Sequence, residues 1–149
     1  MFKARHRSIL ALFLAFVTAF LVSCGSPTPT KPLTYTPTQI QQIQQYVSGV
    51  EQLSNRLPEL AKLIQDENWT FVKNFIRGPL GELRTRIGLV ERNLLPQDRA
   101  KARETSKELF ESLISIDQAA DKGDYKAAIS NYGAVIRQLN AFFELARKS

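Results

Sequence analysis

The sequence contains very few of the side chains that carry most enzyme chemistry. Among its 149 residues there is one cysteine, Cys24, and one histidine, His6, and both lie near the start of the chain. Histidine is the usual general base, and the common nucleophilic pairs need a histidine or a free thiol. A disulfide needs a second cysteine, so an internal disulfide is excluded. We therefore expect a protein that is not an enzyme and has no catalytic residue.

The metal and cofactor motifs that helical proteins use are missing as well. There is no Glu-x-x-His pair for a di-iron centre, no Cys-x-x-Cys-His motif for haem attachment and no twelve-residue acidic calcium loop. Acidic residues do recur at helical spacing, as at Glu104, Glu108 and Glu111, with lysines and arginines around them. A solvated helix face explains them, and the alternative is a weak surface site for a metal ion. We expect no cofactor, no metal site and no small-molecule substrate.

The N-terminal segment resembles an export signal. A fourteen-residue apolar run, Ile9 to Val22, follows three basic residues, and no acidic residue precedes Cys24. The run is shorter than the roughly 20 apolar residues of a membrane-spanning helix. Its end, Leu21-Val22-Ser23-Cys24, is similar to the cleavage site of bacterial lipoprotein signals, in which the cysteine is acylated and becomes the new N-terminus. We therefore predict a signal peptide over residues 1–23 and lipid attachment at Cys24. The alternatives are a buried structural thiol and an uncleaved anchor.

Cleavage before Cys24 changes both the length and the charge of the working protein. It leaves 126 residues, enough for one domain with a real core. Three of the 20 basic residues are removed and all 14 acidic residues stay, so the net charge falls from +6 to +3. Proteins that bind nucleic acids carry a basic stripe, which this small excess does not provide. We expect no nucleic-acid partner.

A proline-rich stretch follows the cysteine. Four of the thirteen residues from Gly25 to Pro37 are prolines, which exclude a helix or a central strand and favour an extended tether. At about 3.1 Å per residue, such a tether reaches roughly 40 Å. We predict that residues 24–37 form a lipidated spacer and that residues 38–149 form the folded domain.

The folded domain shows the periodicity of four amphipathic helices. Thr36 and Gln39 fit a capping box, with Pro37 at the first helical position. From there, apolar residues recur at steps of three and four, as they do on one face of a helix. The stripes are Ile40, Ile43, Val47, Val50, Leu53, Leu57, Leu60 and Ile64; then Val72, Ile76, Leu80, Leu83, Ile87, Val90 and Leu94; then Ala102, Leu109, Leu113, Ile116 and Ala120; and finally Tyr125, Ala128, Ile129, Tyr132, Val135, Ile136, Leu139, Phe142, Phe143 and Ala146.

Glycines, prolines and one aspartate mark where these helices bend or end. Pro58 and the pair Gly78-Pro79 fall inside the first two stripes, which continue on both sides, so we predict bends there and not helix ends. Gly123 is the expected C′ residue of the third helix, and Asp124 the N-cap of the fourth. No segment alternates polar and apolar residues as a strand does. The sequence predicts an all-α fold, an antiparallel four-helix bundle with up-down-up-down topology.

The second predicted helix contains the motif Arg77-Gly78-Pro79-Leu80-Gly81-Glu82-Leu83-Arg84. Other notable residues are Asn68-Trp69, Asn74-Phe75-Ile76, Leu94-Leu95-Pro96, Leu109-Phe110, Leu113, Asp117, Ala119-Ala120, Tyr125, Ala128, Tyr132 and Phe142. Over essentially the whole mature chain, these residues resemble the PsbQ family, the extrinsic four-helix subunit of photosystem II, in its cyanobacterial lipoprotein form. The lipoprotein signal departs from the plant pattern, in which the protein carries no acyl anchor.

This resemblance implies a non-catalytic subunit that binds the photosystem II core and the other extrinsic lumenal subunits. It implies that the protein stabilises the oxygen-evolving complex and helps to retain its calcium and chloride. The implied location is the lumenal side of the thylakoid membrane, with the lipid anchor as the membrane contact. From the residues alone, the alternative is a periplasmic lipoprotein that acts as a helical-bundle adaptor or chaperone.

Two groups of basic residues are candidates for partner binding. Arg77 and Arg84 flank the predicted bend and lie off the apolar stripe, so we expect them to face outward. Arg99, Lys101 and Arg103 open the third helix, at the positive pole of its dipole, where cations are disfavoured. We expect these three to belong to a basic end of the bundle. That end also contains Arg92, Arg147 and Lys148, and the opposite, acidic end contains Asp66, Glu67, Asp121 and Asp124.

Overall fold

Six α-helices and one 3₁₀ turn follow one another along residues 33–148, the part of the chain that the computed structural model describes. The predicted signal peptide, the predicted lipidation site Cys24 and most of the predicted tether lie outside this part. The helices are α1 (Pro37–Ser54), α2 (Leu57–Gln65), α3 (Trp69–Arg77), α4 (Leu83–Asn93), α5 (Pro96–Lys122) and α6 (Tyr125–Arg147), and the 3₁₀ turn is Pro79–Glu82.

These elements pack as an antiparallel four-helix bundle, as the sequence predicts. The first bundle helix consists of α1 and α2, and the second consists of α3, the 3₁₀ turn and α4; α5 and α6 are the third and fourth. Because α1 packs on α4 while α2 packs on α3, the first two bundle helices run antiparallel. The third packs on the second and, most extensively, on the fourth, which returns to the first and closes the up-down-up-down arrangement. Residues 33–148 contain no strand.

The first bundle helix begins as predicted but is not continuous. The N–H of Gln39 donates to the Thr36 hydroxyl, and the N–H of Thr36 donates to Gln39 Oε1, so the capping box is confirmed. The bend predicted at Pro58 is a break instead, because α1 ends at Ser54 and α2 begins at Leu57. A proline has no N–H with which to continue a helix, but it fits the first turn of a new one.

The second bundle helix is interrupted in a similar way. The prediction of one bent α-helix across Gly78-Pro79 is wrong in detail, since α3 ends at Arg77 and α4 begins at Leu83. Between them, Pro79 cannot donate a backbone hydrogen bond, and a tighter 3₁₀ turn replaces the α-helical turn. The apolar stripe nevertheless continues through the interruption, because Leu80 and Leu83 are both buried.

All four bundle helices contribute to one core. The largest fully buried side chains all belong to the predicted stripes, and they are Ile43, Val50, Leu57, Leu60, Ile64, Val72, Leu83, Ile87, Leu94, Leu109, Ile116 and Phe142. Buried alanines, among them Ala102 and Ala120, allow the third helix to pack closely on the fourth. The pattern also places Tyr125 on the inner stripe of the fourth helix, and this prediction is wrong, because Tyr125 is the first residue of α6 and is 41% exposed.

The connection between the third and fourth bundle helices is confirmed as predicted. Gly123 has a φ of +64°, in the left-handed region that glycine adopts without strain, and it ends α5. The Asp124 carboxylate accepts a hydrogen bond of 2.9 Å from the N–H of Ala127, which makes Asp124 the N-cap of α6.

Replacing Asp124 with alanine should therefore lower the free energy of unfolding by about 1 kcal/mol, because the first turn of α6 loses its side-chain acceptor. Urea denaturation followed by circular dichroism measures this change. The matched control is Asp124→Asn, which keeps an acceptor oxygen and should remain close to wild type. Equal losses in the two variants would contradict the capping role.

Candidate docking surfaces

A groove runs along the outside of the bundle between the second and third bundle helices. Its wider half has a volume of about 410 Å³ and its narrower half a volume of about 220 Å³. Arg84, Phe110 and Ile114 line both halves; Arg103 lines the wider half and Arg77 the narrower half. Three of the five predicted partner-binding residues therefore border one groove, which the sequence did not predict. We call it the helix 2–3 groove.

Arg77 forms an ion pair across the narrower half of this groove. Its Nε and Nη2 atoms donate to Asp117 Oδ1 and Oδ2 at 3.0 and 2.7 Å, which joins the second helix to the third. The hydrogen bond to Asp117, together with the charge of that carboxylate, raises the pKa of Arg77. Because Arg77 is exposed, solvent screens the pair, and its contribution to stability is small. The side chain faces outward as expected, but it already has a partner.

The guanidinium group of Arg84 lies over an aromatic ring at the middle of the groove. The central carbon of its guanidinium group is 4.0 Å from the centroid of the Phe110 ring, within the range of a cation–π contact. Phe110 is half-buried and Arg84 is exposed. Arg84 forms no ion pair with any other of residues 33–148. Its planar hydrogen-bond donors therefore remain available to an acceptor from outside the described chain.

Arg99 has a structural role that could not be predicted from its position in the sequence. Its Nε atom donates to the carbonyl of Glu91 at 3.0 Å, and its Nη2 atom donates to the carbonyls of Arg92 and Leu94 at 3.1 and 2.8 Å. The last carbonyls of a helix lack partners within that helix, so Arg99 satisfies those at the end of α4. Arg99, a candidate for partner binding, thus also has a role within the fold that the sequence did not predict. A cation at the start of α5 is explained by its position at the negative pole of α4.

The same connection holds the last part of the predicted tether. The Tyr35 hydroxyl donates to Asp98 Oδ2 at 2.7 Å and accepts a hydrogen bond of 3.0 Å from the N–H of Leu95. Tyr35 is thus fixed to the bundle by residues about sixty positions further along the chain. This contact could not be predicted, because a lone tyrosine in a proline-rich stretch has no periodicity that would identify its partner.

Lys101 and Arg103 are exposed near the start of the third bundle helix, but they lie on different faces. Arg103 borders the helix 2–3 groove, and its Nε atom is 3.9 Å from Glu91 Oε2. The other oxygen of Glu91 accepts a hydrogen bond of 2.6 Å from the Ser106 hydroxyl. Lys101 instead borders a shallow pocket between α5 and α6. The five predicted partner-binding residues therefore do not form a single site.

The charge separation between the two ends of the bundle is weaker than residue counting suggests. At the predicted basic end, Arg147 lies 3.5 Å from Glu51 and 3.9 Å from Glu144. At the predicted acidic end, Lys73 donates to Asp121 at 2.7 Å. This hydrogen bond, together with the charge of Lys73, lowers the pKa of Asp121. Contacts between side chains thus neutralise part of the charge at each end.

The described surface offers contact regions, and two of its properties bear on metal and membrane binding. Within residues 33–148, no group of three or more acidic, histidine or cysteine side chains is placed to hold a metal ion. In the same range, no helix is long and apolar enough to cross a membrane. The groups available for recognition are guanidinium and ammonium groups beside partly exposed apolar side chains.

Comparison with known proteins finds similarity along nearly the whole chain. The model of the PsbQ family, described as oxygen evolving enhancer protein 3, matches residues 3–146. The protein CyanoQ of Synechocystis sp. is 37% identical to this chain over 143 residues, which is 95% of this chain and 96% of that protein.

The bonds of Arg99 lead to a test of its structural role. Arg99→Ala removes the side-chain donor from three carbonyls at the end of α4, of which that of Glu91 still accepts from the N–H of Leu94, and should lower the free energy of unfolding by about 2 kcal/mol. Arg103→Ala is the control, because an exposed arginine with one long ion pair should change stability by no more than about 0.5 kcal/mol. Urea denaturation of both variants measures the difference. If Arg99→Ala were as stable as Arg103→Ala, the carbonyl contacts would be unimportant.

Proposed function

The chain belongs to the PsbQ family, and on that premise we propose that it is a non-catalytic extrinsic subunit of photosystem II on the lumenal side of the thylakoid membrane. The observation that carries this proposal is the family match over residues 3–146. The 37% identity with CyanoQ over 95% of the chain supports it, since the similarity includes the whole bundle and not one helix.

The proposed role is to bind the photosystem II core and the other extrinsic subunits and to stabilise the oxygen-evolving complex. We include in this role the retention of calcium and chloride, by covering their site and not by ligating them. A packed bundle whose described residues hold no cluster of metal ligands suits a covering part. The exposed guanidinium groups of Arg77, Arg84 and Arg103 suit attachment to acidic protein surfaces.

Co-purification tests this proposal directly. A tagged form of the full chain, isolated from detergent-solubilised membranes, should bring down the photosystem II core together with its other extrinsic subunits. Detergent removes attachment that depends on the bilayer alone, so recovery would reflect protein contacts. Recovery of envelope proteins without photosystem II would instead indicate the adaptor or chaperone function.

The proposed membrane attachment is a lipid on Cys24. The tether that would follow it enters the bundle where Tyr35 is held by Asp98 and Leu95. This contact gives the anchor a defined exit point beside the connection between the second and third bundle helices. A lipid on Cys24 would therefore hold the bundle at that end, through a segment that is itself hydrogen-bonded to the bundle.

Cys24→Ser should release the mature protein from membranes or leave its precursor uncleaved, because stable anchoring needs two or more acyl chains. Membrane fractionation measures the release, and intact-protein mass spectrometry measures the lipid. The circular dichroism spectrum should stay helical, since Cys24 is not one of the bundle residues. An unmodified mature protein that begins at another residue would refute the lipoprotein assignment.

With Arg99 bound inside the fold, the proposed basic docking end rests on Lys101 and Arg103. Replacing both with glutamate should weaken attachment to photosystem II, and more so at low salt, because exposed charges are screened beyond about 10 Å at 0.1 M ionic strength. The control is the double variant Lys126→Glu, Arg137→Glu, which makes the same charge change on exposed residues of α6. Release of both double variants at one salt concentration would show that only net charge matters.

A further inference from the structure

Two glycines line the helix 2–3 groove although neither the backbone nor the packing requires glycine there. A Cβ atom built on Gly81 meets nothing within 4 Å, and one built on Gly88 meets only the end of the Arg92 side chain, at 4.0 Å. Within residues 33–148, the glycine with a left-handed φ is Gly123, so any residue could adopt the backbone of the other two. Glycine weakens a helix relative to alanine. In folded proteins, a glycine often allows another molecule to approach the backbone closely, because it has no side chain.

Two of the three ion pairs that line the groove have a less exposed acid and a more exposed cation, whereas in the third, Lys107–Glu111, both side chains are exposed. The Asp117 side chain is 20% exposed, whereas its partner Arg77 is 63% exposed. In the same way, Glu91 is 13% exposed and Arg103 is 61% exposed. Arg84 adds a third outward guanidinium group. The groove therefore presents positive charge to a molecule that enters it, although it is lined by acids as well.

The surface between these cations is apolar. Ile114 is 51% exposed and lines both halves of the groove, next to the ring of Phe110 that supports Arg84. An isoleucine on the solvent side of the third bundle helix has no role in the core. It offers a contact for one apolar side chain from outside, with guanidinium groups on either side of it.

We propose that the helix 2–3 groove binds an acidic segment of a neighbouring protein subunit. Carboxylates of that segment bind Arg84 and the Nη1 side of Arg77, whose Nε and Nη2 atoms donate to Asp117, and an apolar side chain between them packs on Ile114. Guanidinium groups bind carboxylates through two parallel hydrogen bonds, and the contact with the Phe110 ring helps to hold the Arg84 guanidinium group at the groove. This inference rests on the proposed function, because it assumes that the chain is a bound subunit, and it identifies the chemistry of the partner.

The shape of the groove favours a protein segment over a lipid surface. Arg77 and Arg84 are seven residues apart across the 3₁₀ turn, which corresponds to about 12 Å at roughly 1.5 Å per α-helical and 2.0 Å per 3₁₀ residue. A helix with acids two turns apart presents carboxylates at this spacing, with an apolar side chain between them. A flat membrane surface would touch the cations at the rim without reaching the backbone of Gly81 and Gly88.

The first test fills the groove without changing its charge. Gly88→Leu should reduce the retention of photosystem II by the tagged full chain in detergent by about tenfold, because the side chain occupies the space of the bound segment. The matched control is Gly133→Leu on α6, where a Cβ atom likewise meets only an arginine four residues further on, Arg137, at 3.5 Å. Thermal unfolding by circular dichroism must show that both variants fold. Undiminished retention by folded Gly88→Leu would overturn the proposal.

The second test identifies what occupies the groove. A photo-crosslinking phenylalanine derivative placed at Ile114 of the full chain should label a peptide of another subunit, and that peptide should contain at least two acidic residues. The same derivative at Ser130, an exposed position on α6, should not label that peptide. A crosslink to lipid, or to a peptide without acidic residues, would overturn the proposal.

These outcomes separate the inference from the function on which it rests. If the wild-type chain fails to retain photosystem II, the proposed function itself is wrong. If the wild type retains it, and Gly88→Leu does so equally well, the function stands and the groove is not the binding site.

Discussion

The missing backbone N–H of Pro79 is the constraint on which the second bundle helix and its surroundings depend. An α-helix cannot pass through this residue with its hydrogen bonds intact, so α3 ends and a 3₁₀ turn takes over before α4 begins. Leu80 and Leu83 still reach the core. The interruption therefore affects the outer side of the bundle. There, Gly81 has open space around it, and the groove lies between the second and third bundle helices.

The distribution of charged side chains gives this bundle, which has few reactive side chains, a surface suited to recognition of another molecule. The two arginine ion pairs beside the groove, Arg77–Asp117 and Arg103–Glu91, each leave the carboxylate less exposed than the arginine. Asp117 accepts its hydrogen bonds from Arg77 and Glu91 accepts one from Ser106, with Arg103 3.9 Å away, and both arginine side chains remain largely exposed. The pairs that join the second and third helices therefore also direct guanidinium groups outward. Because both arginines are exposed, these pairs add little to stability.

The connection between the second and third bundle helices joins three parts of the molecule. Arg99 satisfies the carbonyls at the end of α4, and Tyr35 binds Asp98 and the N–H of Leu95. A segment that leads toward the predicted anchor is thereby tied to the same few residues that end one helix and begin the next. Force on the anchor would reach the bundle at this hydrogen-bonded connection.

The sequence by itself determined the four bundle helices and most of the residues that face inward, because periodicity, a capping box and a glycine stop act over a few neighbouring residues. The capping box at Thr36, the stop at Gly123 and the N-cap at Asp124 are local in this sense, and each is present in the structure. The motif from Arg77 to Arg84 likewise lies in one continuous stretch, so the resemblance to the PsbQ family is visible in the sequence alone.

Only the tertiary structure decided what the basic residues do, because their partners lie far away in the chain. Arg77 meets Asp117 forty residues on, and Tyr35 meets Asp98 sixty-three residues on. Arg99 lies in the first turn of α5, where the helix dipole disfavours a cation. It also lies beside the end of α4, where the helix dipole favours a cation. Helical spacing shows which side chains share a face, but it contains no information about which faces become neighbours. That depends on how the four helices pack around their common core.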